Sequence, residues 1–262
     1  MSKNNISPLA FVHPEAKLGE NITLEPFSYV DKNVEIGDGS HIMSKADLRE
    51  GARIGKGCKV FPGAVIGAVP QDLKFQGEES LAIVGDNTTI RECVTINRGT
   101  ASKGKTVVGS NCLLMAYTHV AHDCEVGDYV IIGNASQLAG EVIIHDHAIL
   151  SGSVLVHQFS TIGQHVMIQG GTRLGKDIPP YIIAGREPVS YSGINLVGLR
   201  RRGFSNEKIN EIQEIYRYIY NSGLNFTDAV VKVENDFEKT DEMKMIVSFI
   251  KNSSRGIVRG YL

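Results

Sequence analysis

Large aliphatic residues recur along most of this chain at intervals of six. Every residue whose number is a multiple of six, from 12 to 174, is Val, Ile or Leu, except Asp72, Glu78 and Ser102. A period of six matches neither an α-helix nor an isolated strand. It is typical of short strands joined by tight turns and stacked as the coils of a solenoid, because each coil then adds its aliphatic residues to one continuous core.

A second set of inward positions follows four residues after the large aliphatic ones, and its members are mostly small or β-branched. The set comprises Ala16, Ser28, Ala46, Ala52, Cys58, Ala64, Cys112, Thr118, Cys124, Ser136, Ala148 and Ser160. Three of the four cysteines belong to it and none forms a CxxC pair, so we expect small buried thiols in a reducing compartment. Counted at 18 residues per coil, Cys58 and Cys112 are expected three coils apart, which is too far for a disulfide.

The hexads lapse twice and each time resume in the same phase. The lapses fall in "GAVPQDLKFQGEES" and "NRGTASKGKTV", which predicts loop insertions near residues 67–83 and 97–107. Loops held on a rigid scaffold are common places for function.

Beyond about residue 185 the period changes to that of amphipathic helices. Ser205 is a candidate N-cap, Ile209, Ile212, Ile215, Tyr216 and Ile219 follow at helical spacing, and Gly223 is a stop signal. "TDAVVKVENDF" and "DEMKMIVSFIKNS" predict two further helices. We therefore predict a solenoid domain over residues 1–188 and a helical domain over residues 189–262.

Charge and hydropathy exclude two classes of partner. The formal net charge is −2, so no basic field favours nucleic acid or an anionic membrane surface. No apolar run reaches the ~20 residues of a membrane span, and "MSKNNISPLAF" lacks the apolar core of a secretory signal. We expect a cytoplasmic protein without stable membrane insertion.

Candidate chemistry lies in "YTHVAHDCEVG", residues 117–127. With three hexads in a coil, His122 lies one coil below Gly140 and two below Gln158, and Asp123 lies below Glu141. Because Val120 points inward, the residues after it are expected to pass through a turn and face outward. A histidine beside an aspartate is the arrangement of an oriented general base, and a glycine N–H nearby suits an oxyanion. Together they suit acyl transfer from a thioester to a hydroxyl.

Spacing alone leaves other interpretations open. His119 and His122 are equally compatible with solvated turn residues on a solenoid surface. A further interpretation is a metal site that involves His145, His147 and His165. The sequence does not indicate a third ligand supported by neighbouring residues, so we predict neither a metal nor another cofactor. "GGTRLGKD" mimics a phosphate-binding loop, yet Asp177 replaces the Ser or Thr and no strand-to-helix step flanks it, which excludes nucleotide hydrolysis.

Longer motifs carry a resemblance to known families. The hexads over residues 10–185 resemble the left-handed parallel β-helix, which makes the predicted fold mainly β with a small C-terminal α-helical domain. In order and spacing the chain resembles the UDP-N-acetylglucosamine acyltransferases of the lipid A pathway. The motifs are "IRECVTINRGT", "THVAHDCEVG", "LVHQF", "DIPPY" and "GLRRRGF". The resemblance implies a homotrimer that moves a 3-hydroxyacyl chain from acyl carrier protein to the glucosamine 3-hydroxyl of UDP-N-acetylglucosamine.

The same resemblance assigns roles by motif. It makes His122 the general base, Asp123 its orienting carboxylate and Gly140 the oxyanion donor. The substrate-binding residues it implies are Asp72, Lys74, Asn97, His119, Glu141, Gln158, Asn195 and Arg201. Gly170 resembles the acyl-chain ruler, and without a side chain it predicts a long acyl donor, with Pro188 at the far end of the acyl groove. The Arg200–Arg202 run is equally compatible with an exposed charged segment or a contact to the acidic carrier protein.

Some positions depart from the family pattern. Asn97, Glu141 and Pro188 stand where the family has His, and Val197 replaces a Glu. A glutamate above Asp123 is electrostatically unfavourable unless it binds a sugar hydroxyl or a cation. The competing enzyme hypotheses are an amine acyltransferase on a sugar nucleotide, which normally carries an extra amino-terminal domain, and a small-molecule acetyltransferase. A hypothesis from another class is a β-helix that serves only as a scaffold or binding surface. The irregular loops argue against the scaffold.

Overall fold

The structure, a computed structural model, describes residues 4–260. The outermost residues of both predicted domains, 1–3 and 261–262, lie outside the described residues. Short strands follow one another in regular order through most of the chain. They are β1 (Asn5–Ile6), β2 (Phe11–Val12), β3 (Lys17–Leu18), β4 (Thr23–Leu24), β5 (Tyr29–Val30), β6 (Glu35–Ile36), β7 (His41–Ile42), β8 (Asp47–Leu48), β9 (Ala52–Ile54), β10 (Lys59–Val60), β11 (Val65–Ala68), β12 (Leu81–Val84), β13 (Thr89–Ile90) and β14 (Thr95–Asn97). They continue as β15 (Lys105–Val108), β16 (Leu113–Leu114), β17 (His119–Val120), β18 (Glu125–Val126), β19 (Ile131–Ile132), β20 (Gln137–Leu138), β21 (Ile143–Ile144), β22 (Ile149–Leu150), β23 (Leu155–Val156), β24 (Thr161–Ile162), β25 (Met167–Ile168), β26 (Arg173–Leu174), β27 (Ile182–Gly185), β28 (Ser190–Ile194) and β29 (Arg259–Gly260).

From β1 to β26 every third strand pairs in parallel, so the chain winds through three sheets in turn. Within residues 4–260 these sheets have 12, 9 and 8 strands, beginning with β1, β2 and β3 respectively. Strand partners one coil apart differ by 18 residues where no loop intervenes, as in Leu114 against Ile132. This is the left-handed parallel β-helix that the family resemblance implied.

The core is the column of aliphatic residues that the period of six predicted. Its hexad residues from Leu24 to Leu174 are buried, and the small inward set lies between them. Cys58, Cys112 and Cys124 are buried free thiols, and each Sγ lies against a backbone carbonyl of the next coil. Burial raises the pKa of Cys112 to about 11 and that of Cys124 to about 12, so both thiols stay protonated and serve packing.

Both loop insertions leave the solenoid at the same corner. This corner joins the nine-stranded sheet to the eight-stranded one, and we call it the insertion corner. Residues 69–80 fill it between β11 and β12, and residues 98–104 fill it one coil later between β14 and β15. Paired residues there differ by more than 18 positions, as in Ile66 with Ile96 and Ile96 with Val120. The next three coils carry residues 121–124, 139–142 and 157–160 at this corner, so the two loops lie beside the predicted site.

Four helices follow the solenoid: α1 (Leu196–Arg201), α2 (Asn206–Asn221), α3 (Phe226–Asp236) and α4 (Asp241–Asn252). Ser205 caps α2 by accepting from the Lys208 N–H, as the sequence predicted, and the five predicted apolar residues of α2 are buried. Helix α1 was not predicted from the sequence. The predicted boundary at residue 188 lies in the turn between β27 and β28, an antiparallel pair that extends the largest sheet.

The helical segment docks on the last coils through buried polar and aromatic contacts. The Tyr216 hydroxyl donates to the Pro180 carbonyl at 2.6 Å. At the corner before the largest sheet, the rings of Tyr129, His147, His165 and Tyr181 stack in a ladder, with centroids 4.8, 4.8 and 5.6 Å apart. The Phe204 ring meets this ladder edge-on.

Residues 4–260 contain neither a membrane-spanning helix nor a metal-binding cluster. None of the helices there is long and apolar enough to cross a membrane. No group of three or more His, Cys, Asp or Glu side chains in that part of the chain is arranged to hold a metal ion.

Candidate active site

His122 and Asp123 form a hydrogen-bonded pair at the insertion corner. His122 Nδ1 lies 2.8 Å from Asp123 Oδ2. The His122 side chain is 12% exposed and that of Asp123 is fully buried. The expectation that the residues after Val120 all face outward is therefore wrong, since Ala121 and Asp123 are buried and only His122 reaches the surface. The 98–104 insertion covers Asp123, which the hexad pattern alone did not indicate.

The buried carboxylate has a donor for each acceptor position. Asp123 Oδ1 accepts from the Thr100 N–H at 2.9 Å and the Lys103 N–H at 3.2 Å. Oδ2 accepts from the Thr100 hydroxyl at 2.6 Å as well as from His122. Burial by itself raises the pKa of Asp123, but the hydrogen bonds from Thr100 and His122 outweigh it and lower the pKa below its ordinary value. Asp123 is therefore ionised at neutral pH.

An ionised Asp123 decides which nitrogen of His122 carries the proton. A carboxylate only accepts hydrogen bonds, so Nδ1 must be the donor and the neutral ring keeps its lone pair on Nε2. That is the tautomer required of a general base directed away from its orienting group.

The longer insertion brings Asp72 to the other side of the imidazole. Asp72 Oδ2 lies 3.7 Å from His122 Nε2, while Oδ1 accepts from the Lys74 N–H at 2.9 Å. The carboxylate is thus fixed by its own turn and directed at the reactive nitrogen. The Lys74 side chain and the neighbouring Leu73, which is fully exposed, project into solvent.

Gly140 packs against His122 as the 18-residue coil predicted. A Cβ built on Gly140 would lie 2.5 Å from both Cε1 and Nε2 of His122. Only a glycine leaves room for the imidazole here. Glu141 is half-buried above Asp123 and its N–H donates to the His122 carbonyl at 3.0 Å. Gln158, half-buried, lies one coil further on.

His119 opens onto a groove on the nine-stranded sheet. Its Nδ1 lies 2.7 Å from the Thr95 hydroxyl. Burial, together with the nearby His122, lowers the pKa of His119 and keeps it neutral. The groove has a volume of about 470 Å³, and its lining is mainly apolar apart from the His119, Gln137, His157 and Arg173 side chains.

Two residues assigned to substrate binding are engaged inside the protein. Asn97 is buried, and its side-chain N–H donates to the Val69 carbonyl at 3.2 Å. Asn195 is also buried. It caps α1 by accepting from the Gly198 N–H and donates to the His165 carbonyl at 2.9 Å. Asn97 holds the base of the longer insertion and Asn195 holds α1, so the structure favours a positioning role for both.

The other assigned residues lie at the surface. Arg201 and Arg200 are exposed on α1, whereas Arg202 donates to the His147 carbonyl at 2.9 Å and fastens α1 to the solenoid. Gly170 is exposed in the turn before β26, and Pro188 is exposed in the turn between β27 and β28.

Thr100 is the main site residue that the sequence analysis missed. It lies in the motif "NRGT" within a recognised insertion, so the signal was present. Its contact with Asp123 depends on the path of the 98–104 loop, which no repeat fixes.

A solenoid of hexads with a His–Asp pair at a loop-bearing corner is typical of the hexapeptide-repeat transferases. The bacterial transferase hexapeptide (six repeats) family matches residues 105–140. The family described as UDP-N-acetylglucosamine O-acyltransferase, domain 2, matches residues 177–258.

Full-length relatives narrow the class to one family. The chain is 51% identical to an acyl-[acyl-carrier-protein]–UDP-N-acetylglucosamine O-acyltransferase of Chlorobaculum parvum, covering 97% of this chain and 96% of the relative. A solved UDP-N-acetylglucosamine acyltransferase from Bacteroides fragilis is 61% identical, with a TM-score of 0.95 and coverage of 97% and 99%. The corresponding enzyme of Francisella novicida is 39% identical, with a TM-score of 0.94 and coverage of 97% and 94%. The chain belongs to the acyl-[acyl-carrier-protein]–UDP-N-acetylglucosamine O-acyltransferase family.

Proposed function

We propose that this protein transfers a 3-hydroxyacyl chain from acyl carrier protein to the glucosamine 3-hydroxyl of UDP-N-acetylglucosamine, the first step of lipid A biosynthesis. Family membership over nearly the whole chain supports the substrates. The observation that carries the chemistry is the 2.8 Å contact between His122 Nδ1 and Asp123 Oδ2, which leaves Nε2 as the free base.

The proposed reaction is a single acyl transfer with general base catalysis. His122 Nε2 takes the proton of the sugar hydroxyl while its oxygen attacks the thioester carbonyl. Asp123 stabilises the imidazolium that forms, and Asp72, 3.7 Å from Nε2, adds a second negative charge on that side. The tetrahedral intermediate then collapses, the carbon–sulfur bond breaks, and the imidazolium returns its proton to the departing carrier thiolate.

Gly140 supplies the donor for the charge that develops on the carbonyl oxygen. Within residues 4–260 no acceptor takes the Gly140 N–H, so it is available to an oxyanion. A donor fixed in place before the reaction stabilises that charge without reorganisation. Gly140 also sits directly against His122, so the oxyanion and the base would flank the same carbonyl carbon.

The other residues that the family resemblance assigns are proposed substrate contacts. His119, Gln158, Glu141, Asp72 and Lys74 would contact the sugar nucleotide or the acyl region. Arg201, exposed on α1, would contact the phosphates, which suit its planar guanidinium. The apolar groove beside His119 would receive the acyl chain. Gly170 and Pro188 would limit its length, and the open Gly170 favours a long donor.

We propose a homotrimer, as the family resemblance implies. Several aromatic side chains remain exposed on the solenoid, among them Phe27 at 62% and Tyr117 at 64%. The rings of Phe11 and Tyr29 stack on the outer face of the nine-stranded sheet. These surfaces suit contacts between subunits.

The test is acyl transfer from 3-hydroxyacyl carrier protein to UDP-N-acetylglucosamine. We expect wild-type activity that falls at least about a hundredfold in His122→Ala, since a positioned base contributes on that order. His145→Ala serves as the control, because His145 is exposed and directly follows β21, at a different corner of the solenoid from His122. If the wild type did not acylate UDP-N-acetylglucosamine but acylated an amino-sugar nucleotide, the protein would be an amine acyltransferase. Activity that survives in His122→Ala would refute His122 as the base.

A further inference from the structure

The 98–104 insertion does more than cover the buried half of the His–Asp pair. Thr100 gives Asp123 two hydrogen bonds, from its N–H to Oδ1 at 2.9 Å and from its hydroxyl to Oδ2 at 2.6 Å. Oδ2 is also the oxygen that His122 Nδ1 contacts. The Thr100 hydroxyl and the imidazole therefore share one carboxylate oxygen and together fix its direction.

The direction of the Thr100 hydroxyl is itself determined. Its oxygen accepts from the Ser102 N–H at 3.2 Å, so its hydrogen is free to point at Asp123. Thr100 is buried, with 7% exposure, so water does not compete for this bond. The loop is held in turn by the longer insertion, since Glu78 Oε1 accepts from the Ala101 N–H at 2.8 Å.

We propose that Thr100 is a positioning residue of the acyl transfer, which holds the Asp123 carboxylate in the orientation that keeps the His122 lone pair on Nε2. This inference deepens the proposed function and rests on it. Without the hydroxyl, Oδ2 has one donor fewer and the carboxylate gains freedom to rotate about its Cβ–Cγ bond. The Nδ1 contact then loosens, and a smaller fraction of molecules holds the base ready to react.

The experiment compares Thr100→Val, which keeps the shape and removes the hydroxyl, with Thr100→Ser, which keeps the hydroxyl. We expect kcat to fall about tenfold or more in Thr100→Val, as for loss of a hydrogen bond to a charged group. KM for both substrates should stay within about twofold, because Thr100 is buried and its hydroxyl is engaged with Asp123. Thr100→Ser should recover most of the rate. If Thr100→Val does not fold, Thr100→Ala takes its place.

Thr88→Val is the matched control for loss of a buried hydroxyl. Thr88 is fully buried, donates to the Gly109 carbonyl at 2.7 Å and accepts from the Cys112 N–H at 3.1 Å, away from the insertion corner. It should lose stability without losing kcat. A Thr100→Val enzyme with wild-type kcat, or a Thr100→Ser enzyme as slow as Thr100→Val, would overturn the proposal.

A double-mutant cycle separates positioning from general damage. In an Asp123→Asn background the further change Thr100→Val should cost little, because the group that Thr100 positions is already gone. Independent, multiplying losses would instead show that Thr100 acts elsewhere. His122→Ala, measured in parallel, keeps the two hypotheses distinct. If His122→Ala were inactive while Thr100→Val kept the wild-type kcat, only this inference would be refuted. If the wild type itself were inactive, the proposed function would be refuted.

Discussion

The missing side chain at Gly140 allows the His122 ring to lie against the next coil. We expect Gly140→Ala to lower kcat by about a hundredfold or more. A Cβ 2.5 Å from two ring atoms must displace the imidazole, and a displacement of about 1 Å in a catalytic group lowers the rate by about that factor. Acyl transfer assays measure the loss. Gly152→Ala is the control, since its Cβ would come no closer than 3.3 Å to Asn134. A Gly140→Ala enzyme with normal kcat would show that the ring has room to move without consequence.

Residues of the site differ in how far the sequence could predict them. The stacking of His122 below Gly140 follows from the 18-residue coil, and the structure confirms it. The burial of Asp123 and its contacts with Thr100 could not be predicted, because they depend on a loop outside the repeat. The same holds for Asp72, whose turn directs its carboxylate at Nε2, and for Asn97, which the loop encloses.

Among the elements, the interior strands of the solenoid should carry more stability than its first coil. Leu114 on β16 is fully buried, and its strand pairs on both sides with β13 and β19. We expect Leu114→Ala to lower the free energy of unfolding by about 2–5 kcal/mol. Leu18 on β3 is only partly buried, and β3 ends its sheet with β6 as its one partner among the described residues. Leu18→Ala should cost less than half as much in chemical denaturation, and equal losses would contradict nearest-neighbour stability in this solenoid.

The strands and the three longer helices were predictable because their apolar residues recur at periods of six and of 3.6 residues, which are visible in the sequence. Helix α1 left none, since it is short and carries Arg200 and Arg201 in its last turn. Its place is fixed by tertiary contacts instead. The Asn195 cap and the Arg202 bond to the His147 carbonyl hold it against the solenoid.

At the level of the whole molecule, the aromatic ladder makes the stability of the fold depend on the protonation of His165. Burial, with His147 and Arg202 nearby, lowers the pKa of His165 to about 4. The unfolded chain binds this proton near pH 6.5, so the folded state should lose stability as pH falls from about 6.5 to about 4, by at most about 3 kcal/mol from this residue. His165→Phe keeps the stack and removes the titration. Its stability should therefore fall less than that of the wild type over this range in urea denaturation, and parallel curves would contradict this.

The sealing of Asp123 beneath the 98–104 loop also bears on the order of events during folding. A chain that has wound its coils but has not yet closed this loop would already give the circular dichroism of the native solenoid. Its Asp123 would lack the Thr100 and Lys103 donors, and its His122 would have no fixed tautomer. In such a chain the competent base would form only when the loop closes, so recovered β structure would be a poor measure of recovered enzyme.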